Sequence, residues 1–339
     1  MALIELKQIT VAYDQKNNIL KNFNLSVEKG EFVSLLGPSG CGKTTTLRLI
    51  AGFNEAKEGQ FLFDGRDYTK VPVHKRNFGF VFQGHALFPH LSVFENVAFG
   101  LKLRKTDGSQ AKKRVHDILE VVNLKGFEDR YPAQLSGGQR QRVAIARSLV
   151  IQPDLLLFDE PLSSLDANLR VQMRMEIRRI QKELKVTTVY VSHDQEECFS
   201  ISDKVAIMNK GVIEQLDSPQ VIYKQPRTEF VARFVGFENV IHAKEAGASF
   251  SAVSTGGQET GKWAIRPDDI DISGGEAGAQ QSNSSQGTVK VTTYLGREYQ
   301  YVVETPLGEF IVNDGREKPY EHGERVTLLF PEEKLVPVL

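Results

Sequence analysis

A glycine-rich stretch, Gly37-Pro-Ser-Gly-Cys-Gly-Lys43-Thr44, has the spacing G-x-x-x-x-G-K-T. Its glycines let backbone N–H groups close around a phosphate without clashes from Cβ atoms. Lys43 can reach the β- and γ-phosphates of a nucleotide, and the hydroxyl of Thr44 can ligate Mg²⁺. This phosphate loop, residues 37–44, therefore predicts a binding site for ATP or GTP.

A phosphate loop of this kind lies between a strand and a helix, and the sequence supplies both. Residues 32–36 form a short apolar run that suits a buried strand, and residues 44–51 can begin a helix. The N-terminus of that helix would direct its dipole at the bound phosphate. The alternative is a plain glycine turn before a helix, which leaves the lysine and the threonine unexplained.

Two carboxylates stand at the end of another apolar run. Residues 155–158 read Leu-Leu-Leu-Phe, as expected of a central parallel strand covered on both faces, and Asp159 and Glu160 follow. Carboxylates in such a place are costly unless they meet a cation or take part in chemistry. We expect Asp159 to hold Mg²⁺, commonly through water, and Glu160 to act as the base that polarises an attacking water.

Two further apolar runs end at polar side chains, one at Gln83 and the other at His193. In open α/β sheets, ligands bind at the carboxyl ends of the parallel strands. We therefore expect both side chains to converge with Lys43 and Glu160. A histidine considered alone at such a position would more often be a core or surface residue.

A Ser-Gly-Gly-Gln sequence at residues 136–139 precedes a strongly helical segment, residues 140–150. Ser136 is a suitable N-cap, and the glycines leave backbone N–H groups free to approach an anion. Taken alone, the sequence could be any loop before a helix.

Length and composition narrow the class of protein. A chain of 339 residues has room for two or three domains, and its net charge of -1 gives no support for a polyanionic partner. The apolar runs are far too short to span a membrane, and the first residues do not read as a secretory signal. Two cysteines, Cys41 and Cys198, make neither a disulfide framework nor a metal cluster. We expect a soluble protein of a reducing compartment that reaches a membrane only through partners.

The last hundred residues differ from the rest. From about residue 240, helical periodicity fades and short strands with intervening turns dominate, while residues 273–287 are rich in Gly, Ser and Gln and are predicted to form a mobile loop. Closely spaced strands favour a small β-barrel of the OB-like class. Such a barrel could bind an oligonucleotide, although the near-neutral charge does not favour it.

Together these segments resemble the ATP-binding-cassette ATPases. The most specific match is residues 135–147, Leu-Ser-Gly-Gly-Gln-Arg-Gln-Arg-Val-Ala-Ile-Ala-Arg, which is similar to the signature of that family. The resemblance assigns the other elements in chain order: Tyr13 stacks on adenine; Gly37, Pro38, Ser39, Gly40, Cys41, Gly42, Lys43, Thr44 and Thr45 form Walker A; Gln83 is the Q-loop glutamine; Ser136, Gly137, Gly138 and Gln139 form the signature loop; Asp159 and Glu160 end Walker B; Asp166 ends the D-loop; His193 is the switch histidine.

The resemblance also implies an α/β fold in two parts. Residues 1–235 would form the nucleotide-binding domain, a mixed-sheet core with a helical subdomain at about residues 84–150. Residues 236–339 would form a small all-β, OB-like (TOBE) domain with regulatory and dimerisation roles.

Two such cassettes work as a head-to-tail dimer in this family. By that resemblance, ATP bound by Lys43 of one subunit meets Ser136 and Gly138 of the other. His193 would hold the γ-phosphate and the attacking water, and Gln83 would link Mg²⁺ and that water to the transport subunits. The expected metal ligands are thus Thr44, Gln83 and Asp159.

The implied partners follow from the same resemblance. They are a second copy of the chain, two integral membrane permease subunits and, indirectly, an extracytoplasmic solute-binding protein. Nucleic acid is not expected. The implied location is peripheral, on the cytoplasmic face of the cell membrane.

The substrate is less constrained. A cassette followed by a β-domain resembles the importer ATPases for sugars, polyamines, ferric iron, sulfate, molybdate and phosphonates, and residues 264–268 look like the R-P-[ED] element of their C-terminal domain. Residues 86–100 are more similar to the polyamine, ferric-iron and phosphonate branches, since sugar importers more often have a tyrosine before the proline found here at position 89. Ferric iron or a polyamine is favoured, with phosphonate, sulfate or sugar as alternatives.

Two rival hypotheses stay open. One is a soluble ATPase of the same family that acts on nucleic acid, although the chain shows neither a long coiled-coil insertion nor a second cassette. The other makes the C-terminal barrel a sensor for a ligand or a regulator, which is compatible with transport.

Cys41 invites a separate hypothesis, because oriented N–H groups and Lys43 favour a thiolate inside the phosphate loop. Alkylation would then inhibit hydrolysis. The alternative is a small filler that supplies only a backbone N–H.

Overall fold

The computed structural model describes residues 2–12, 18–242, 261–275, 283–316 and 318–339. These residues form two compact units, Met1–Pro219 and Gln220–Leu339. We describe each unit by itself.

The first unit alternates strands and helices. Its strands are β1 (Ala2–Ala12), β2 (Asn18–Glu28), β3 (Phe32–Leu36), β4 (Glu58–Phe63), β5 (Arg66–Asp67), β6 (Phe78–Val81), β7 (Leu155–Asp159), β8 (Thr187–Val191), β9 (Lys204–Asn209) and β10 (Val212–Asp217). Its helices are α1 (Lys43–Ala51), α2 (Val93–Leu103), α3 (Gly108–Val121), α4 (Gly137–Leu149), α5 (Ala167–Leu184) and α6 (Gln195–Ile201).

The central sheet has the strand order β10-β9-β3-β8-β7-β6, in which β10 pairs antiparallel with β9 and the other pairs are parallel. Every residue of β3, β7 and β8 is buried. This confirms the prediction that residues 155–158 form a central strand. A second, antiparallel sheet has the order β2-β1-β4-β5.

Side chains of the central strands alternate between two apolar cores. Leu156 and Phe158 of β7 join a core with helices α2 to α5, whereas Leu155 and Leu157 join a core with α1 and the antiparallel sheet. Each fully buried side chain of this size contributes about 1.5–3 kcal/mol relative to exposure. Covering both faces of the sheet leaves the carboxyl ends of the strands as the open edge, which is where polar residues can act.

Helices α2, α3 and α4 lie within residues 84–150, the predicted helical subdomain. Polar residues cap them: Ser92 and Glu95 form a capping box on α2, and Asp107 accepts from two backbone N–H groups of α3. Caps of this kind satisfy N–H groups that the helix itself leaves unpaired. The helices therefore begin where the sequence places a capping residue. Among the described helices, none is long and apolar enough for a membrane span.

The second unit is β-rich. Its elements are α7 (Pro219–Lys224, which starts at the division), α8 (Glu229–Phe234), β11 (Asn239–His242), β12 (Lys262–Ile265), β13 (Asp271–Gly274), β14 (Ser284–Tyr294), β15 (Tyr299–Thr305), β16 (Gly308–Asp314), β17 (Arg325–Leu329) and β18 (Val336–Val338). They form antiparallel sheets of order β11-β12-β18 and β13-β17-β14-β15-β16 around a core that includes Phe310 and Phe330. The predicted fold class, an α/β domain followed by a small β-domain, is confirmed. The loop predicted over residues 273–287 is wrong at both ends, because residues 273–274 belong to β13 and residues 284–287 to β14 as paired strands; residues 276–282 lie outside the described residues.

The compact units divide earlier than the sequence prediction of residues 235 and 236. Long-range contacts explain the difference, because Glu229 of α8 accepts a hydrogen bond from Lys262 at 2.6 Å. The guanidinium of Arg266 lies 3.8 Å from the ring centroids of both Tyr223 and Phe237. These contacts hold α7 and α8 to the β-rich unit. The boundary at 235 stays a prediction for the functional domains.

Candidate nucleotide-binding site

The phosphate loop joins β3 to α1 and needs glycine at two points. A Cβ on Gly37 would lie 2.2 Å from the carbonyl oxygen of Met208 in β9. Gly42, the N-cap of α1, has φ 105°, which favours glycine, and a Cβ there would meet the Leu20 side chain at 2.7 Å. Packing against the sheet thus fixes the loop at the N-terminus of α1.

Lys43 turns back over this loop. Its ammonium donates to the carbonyl oxygens of Gly37 at 2.7 Å and of Pro38 at 2.9 Å, and the residue is 6% exposed. A buried ammonium is tolerated where acceptors surround it. Phosphate oxygens at the same place would be stronger acceptors than carbonyls, because they carry negative charge.

Thr44 and Asp159 come together as predicted for a metal site. The hydroxyl of Thr44 donates to Oδ1 of Asp159 at 3.0 Å, and Asp159 is 7% exposed. Burial raises the pKa of Asp159, and the hydrogen bond from Thr44 offsets part of that effect. A buried carboxylate beside a hydroxyl offers the oxygen ligands that Mg²⁺ prefers. These two residues therefore fit the ion.

Gln83 has a different hydrogen-bond partner. Its Nε2 donates to the hydroxyl oxygen of Ser163 at 3.2 Å, and that hydroxyl donates to the carbonyl oxygen of Glu160 at 3.0 Å. Gln83 is thus joined through Ser163 to the backbone of the predicted base. Ser163 lies three residues before Asp166, and the sequence alone does not reveal this contact.

Glu160 and His193 follow the neighbouring strands β7 and β8. Nδ1 of His193 lies 3.3 Å from Oε2 of Glu160, and the backbone N–H of Glu160 donates to the carbonyl oxygen of Val191 at 3.0 Å. Glu160 has φ 43°, a left-handed conformation that is rare for residues with a Cβ. Strain of this kind is found at functional sites, where the surrounding structure enforces it.

The signature loop, residues 135–139, forms a capping box at the start of α4. The Ser136 hydroxyl accepts from the Gln139 N–H at 3.3 Å, and the Gln139 side chain accepts from the Ser136 N–H at 2.9 Å. A Cβ on Gly137 would lie 3.0 Å from Leu165, and one on Gly138 would lie 2.9 Å from Leu169.

Asp166 caps α5 by accepting from the Leu169 N–H at 3.0 Å. The signature loop therefore packs on the segment that contains Asp166. In the described part of the chain, the side chains of Ser136 and Gln139 bond to each other's backbone and not to Lys43 or Thr44.

The remaining Walker A residues line the same loop. Pro38, Ser39 and Gly40 are exposed, and Thr45 is buried in α1. Cys41 is 4% exposed, and burial raises its pKa more than Lys43 lowers it. The hypothesis of a thiolate at Cys41 is therefore wrong for the folded chain, because desolvation outweighs the neighbouring ammonium. Tyr13 lies outside the described residues.

One buried carboxylate beneath His193 was missed. Glu197 is 5% exposed and accepts hydrogen bonds from the hydroxyls of Tyr190 and Ser192. Ser192 accepts from the Asp194 N–H at 3.0 Å, and Asp194 accepts from the Glu197 N–H at 3.0 Å. The turn that carries His193 is thus built on Glu197. An acidic N-cap followed three residues later by glutamate was a usable sequence signal for this helix start.

Comparisons with known proteins identify the family. The family model described as "ABC transporter" matches residues 20–163, and that described as "TOBE domain" matches residues 263–338. The spermidine/putrescine import ATP-binding protein PotA of Mesoplasma florum is 46% identical over 315 residues, which cover 89% of this chain and 88% of that protein. The Fe(3+) ions import ATP-binding protein FbpC of Escherichia coli (strain K12) is 43% identical over 309 residues, covering 89% and 87%.

Solved structures of related proteins share the fold over about two thirds of this chain. A dimeric ATP-binding cassette in a post-hydrolysis state, bound to ADP and Pi, has 32% identity and a TM-score of 0.57, and covers 64% of this chain and 98% of that one. CbiO1 from Clostridium perfringens, part of the ABC transporter complex CbiONQ, has 29% identity and a TM-score of 0.62, with 66% and 90% covered. This chain therefore belongs to the ABC transporter ATPases, and it combines their ATP-binding cassette with a C-terminal TOBE domain.

Proposed function

We propose that this chain hydrolyses ATP to power the import of a polyamine or of ferric iron through partner permease subunits. The observation that carries the catalytic part is the 3.3 Å approach of His193 to Glu160 at the open edge of the sheet. Asp159, which ends β7 of the same sheet, accepts a hydrogen bond from Thr44 of the phosphate loop. A base, a metal-ligand pair and a phosphate cradle are the parts that phosphoryl transfer to water needs.

Each group has a distinct task in this proposal. Lys43 and the N–H groups at the start of α1 bind the phosphates, while Thr44, Asp159 and Gln83 would hold Mg²⁺. The bound ion would supply positive charge that neutralises the phosphate oxygens. Glu160 accepts a proton from the attacking water, and His193 orients that water and the γ-phosphate.

We propose that two copies of the chain complete each site. The signature loop is capped and packed against Leu165 and Leu169, and its side chains bond locally. Its helix N-terminus is a suitable anion-binding surface. In a head-to-tail dimer, Ser136 and Gly138 would meet ATP bound to Lys43 of the second copy, and the TOBE domain would extend the contact.

The permease partners and the location rest on the relatives. The related ATP-binding proteins are named for the import of spermidine/putrescine and of Fe(3+) ions. We therefore propose a polyamine or ferric iron as the solute. Two integral membrane permeases would hold the chain at the cytoplasmic face of the cell membrane, and a solute-binding protein would act indirectly. Uptake of labelled spermidine and of ferric iron by the assembled transporter in proteoliposomes distinguishes the two solutes.

The experiment that tests the catalytic proposal is light scattering of the Glu160→Gln chain with and without Mg-ATP. Loss of the base should lower hydrolysis by roughly 10²–10⁴-fold, while ATP binding persists and an ATP-dependent dimer accumulates. Glu196→Gln is the matched control, because its side chain is 86% exposed, and it should hydrolyse ATP normally. A Glu160→Gln chain that hydrolyses ATP at the normal rate would contradict the assignment of the base.

A further inference from the structure

Two consecutive residues after Gln83 adopt left-handed backbone conformations. His85 has φ 60° and Ala86 has φ 49°. Residues with a Cβ rarely adopt this conformation, and two in succession are less favourable still. Something outside this Q-loop segment, residues 83–88, must therefore hold it in place.

Arg147 of α4 holds the strained backbone. Its Nη1 donates to the carbonyl oxygen of Ala86 at 2.7 Å, and its Nη2 donates to that of His85 at 3.0 Å. The guanidinium also lies 5.6 Å from the ring centroid of Phe88. A planar guanidinium presents its donors in a fixed fork, so it fixes the two carbonyls relative to each other.

A second contact joins the same segment to α4. Nδ1 of His85 lies 2.6 Å from Oε1 of Gln141, a residue that is 0% exposed. Among the described residues, Nε2 of Gln141 has no hydrogen-bond partner. A buried amide that is only half satisfied stabilises a fold poorly. The placement of Gln141 is better explained by its bond to His85.

Both contacts bridge two parts of the site that lie far apart in the sequence. Gln83 stands two residues before His85, and α4 begins directly after Ser136 of the signature loop. In the proposed function, Gln83 serves the nucleotide bound to its own chain, whereas Ser136 serves the nucleotide of the second copy. A rigid link between them would couple the two sites.

We propose that His85, Gln141 and Arg147 form a clasp that makes the Q-loop segment and the signature helix move as one body. His85 is then a positioning residue that acts through Gln141. The inference deepens the proposed function and rests on it. Coupling of this kind requires an element with discrete arrangements that both sites bias. In this proposal the element is the Q-loop segment itself, which is strained at residues 85 and 86 and is held by α4.

The test measures the ATP concentration that half-saturates dimerisation of full-length Glu160→Gln, by light scattering. Adding His85→Ala or Gln141→Leu should raise that concentration by about 2- to 30-fold, the range for residues on a coupling network. The double variant should need no more ATP for half-saturation than the more strongly affected single variant, because both substitutions remove the same contact.

His85→Asn should restore the parent's half-saturating ATP concentration, since asparagine tolerates left-handed backbone and offers an amide donor. His90→Ala, an exposed histidine in the same connection, is the control and should match the parent.

The clasp would be overturned if the His85→Ala chain were half-saturated at the same ATP concentration as the parent. It would also be overturned if the effects of the two substitutions on this concentration were additive. If Gln141→Leu does not fold, Gln141→Met replaces it in the cycle, because methionine has a similar side-chain length, lacks the acceptor oxygen and should raise the half-saturating ATP concentration as well.

Amide hydrogen exchange separates failure of the clasp from failure of the proposed function. If the parent chain shows no ATP-dependent dimer, the two-copy site is wrong, and exchange in the nucleotide-free chain still tests the link. His85→Ala should then speed exchange both at residues 84–88 and at residues 137–141. Faster exchange at residues 84–88 alone would show that the two segments are independent.

Discussion

Nδ1 of His193 lies 3.3 Å from Oε2 of Glu160, although the two residues follow different strands. The Glu160 side chain is 23% exposed and that of His193 is 59% exposed. The carboxylate is therefore sheltered by the sheet, while the imidazole reaches outward from it. A reacting water between a γ-phosphate and this pair would meet a fixed acceptor and a ring that can still turn.

We predict that His193→Ala lowers kcat for ATP hydrolysis by roughly 10²-fold, the cost of misplacing reacting groups by about 1 Å. The KM for ATP should change little, because the phosphate loop keeps its contacts. Phosphate release at saturating Mg-ATP, together with equilibrium titration of ATP, measures both quantities. A raised KM with unchanged kcat would instead show that His193 contributes only ground-state binding.

Thr44 provides a matched pair of variants for the metal site. Thr44→Ser keeps the hydroxyl that donates to Asp159, whereas Thr44→Val removes it at nearly the same volume. Thr44→Val should weaken the apparent Mg²⁺ affinity by roughly 10–100-fold or more. Loss of a supporting hydrogen bond at a metal site has an effect of this size, and Thr44 is itself an expected ligand. Hydrolysis measured against Mg²⁺ concentration at fixed ATP tests this. Equal Mg²⁺ dependence of the two variants would remove Thr44 from the metal site.

The phosphate loop and the strands that carry the site could be predicted because their signals are local. Glycine spacing, an apolar run and the polar residue that ends it all lie within a few positions of the chain. This is why the contact between Thr44 and Asp159 was expected, as was the placing of His193 near Glu160. The roles of these residues in catalysis remain predictions.

Other features depend on contacts between distant residues, which one sequence does not display. The bond from Gln83 to Ser163 joins two loops, and the clasp at His85 needs residues from α4. The compact units divide before the predicted boundary at residue 235 because Lys262 donates a hydrogen bond to Glu229. The thiolate expected at Cys41 failed for a similar reason. Its burial, which depends on the whole fold, outweighs the local effect of Lys43.

Cys41 should therefore react slowly with alkylating reagents. In a Cys198→Ser chain, iodoacetamide should modify Cys41 near pH 7 at least roughly tenfold more slowly than in the same chain unfolded in urea, because both thiolate formation and access are reduced. The labelling rate of the folded chain should rise as the pH approaches and exceeds 9. Mass spectrometry of timed samples gives the rates. Equal rates for the folded and unfolded chains would show that the thiol is accessible and ionised.

Asp159 makes the empty site sensitive to pH. Burial raises its pKa above the ordinary value of 3.8, so the folded chain binds this proton more tightly than the unfolded chain. Its contribution to stability is therefore fully present below that ordinary value and is lost as the pH rises through the raised pKa. Near pH 7 the charged carboxylate should destabilise the chain when neither metal nor nucleotide is bound.

Asp159→Asn should accordingly raise the melting temperature of the ligand-free chain near pH 7, since the amide oxygen still accepts from Thr44 without a charge. The gain should shrink as the pH falls from neutral towards the raised pKa of Asp159, because the carboxyl of the parent chain becomes protonated. Thermal unfolding across this range measures it, with the exposed Asp154→Asn as the control. Added Mg-ATP should then stabilise the parent chain more than the variant, because only the parent keeps the negative charge that binds the ion. A lower melting temperature for Asp159→Asn near pH 7 would mean that interactions of the carboxylate outweigh its burial even in the empty site.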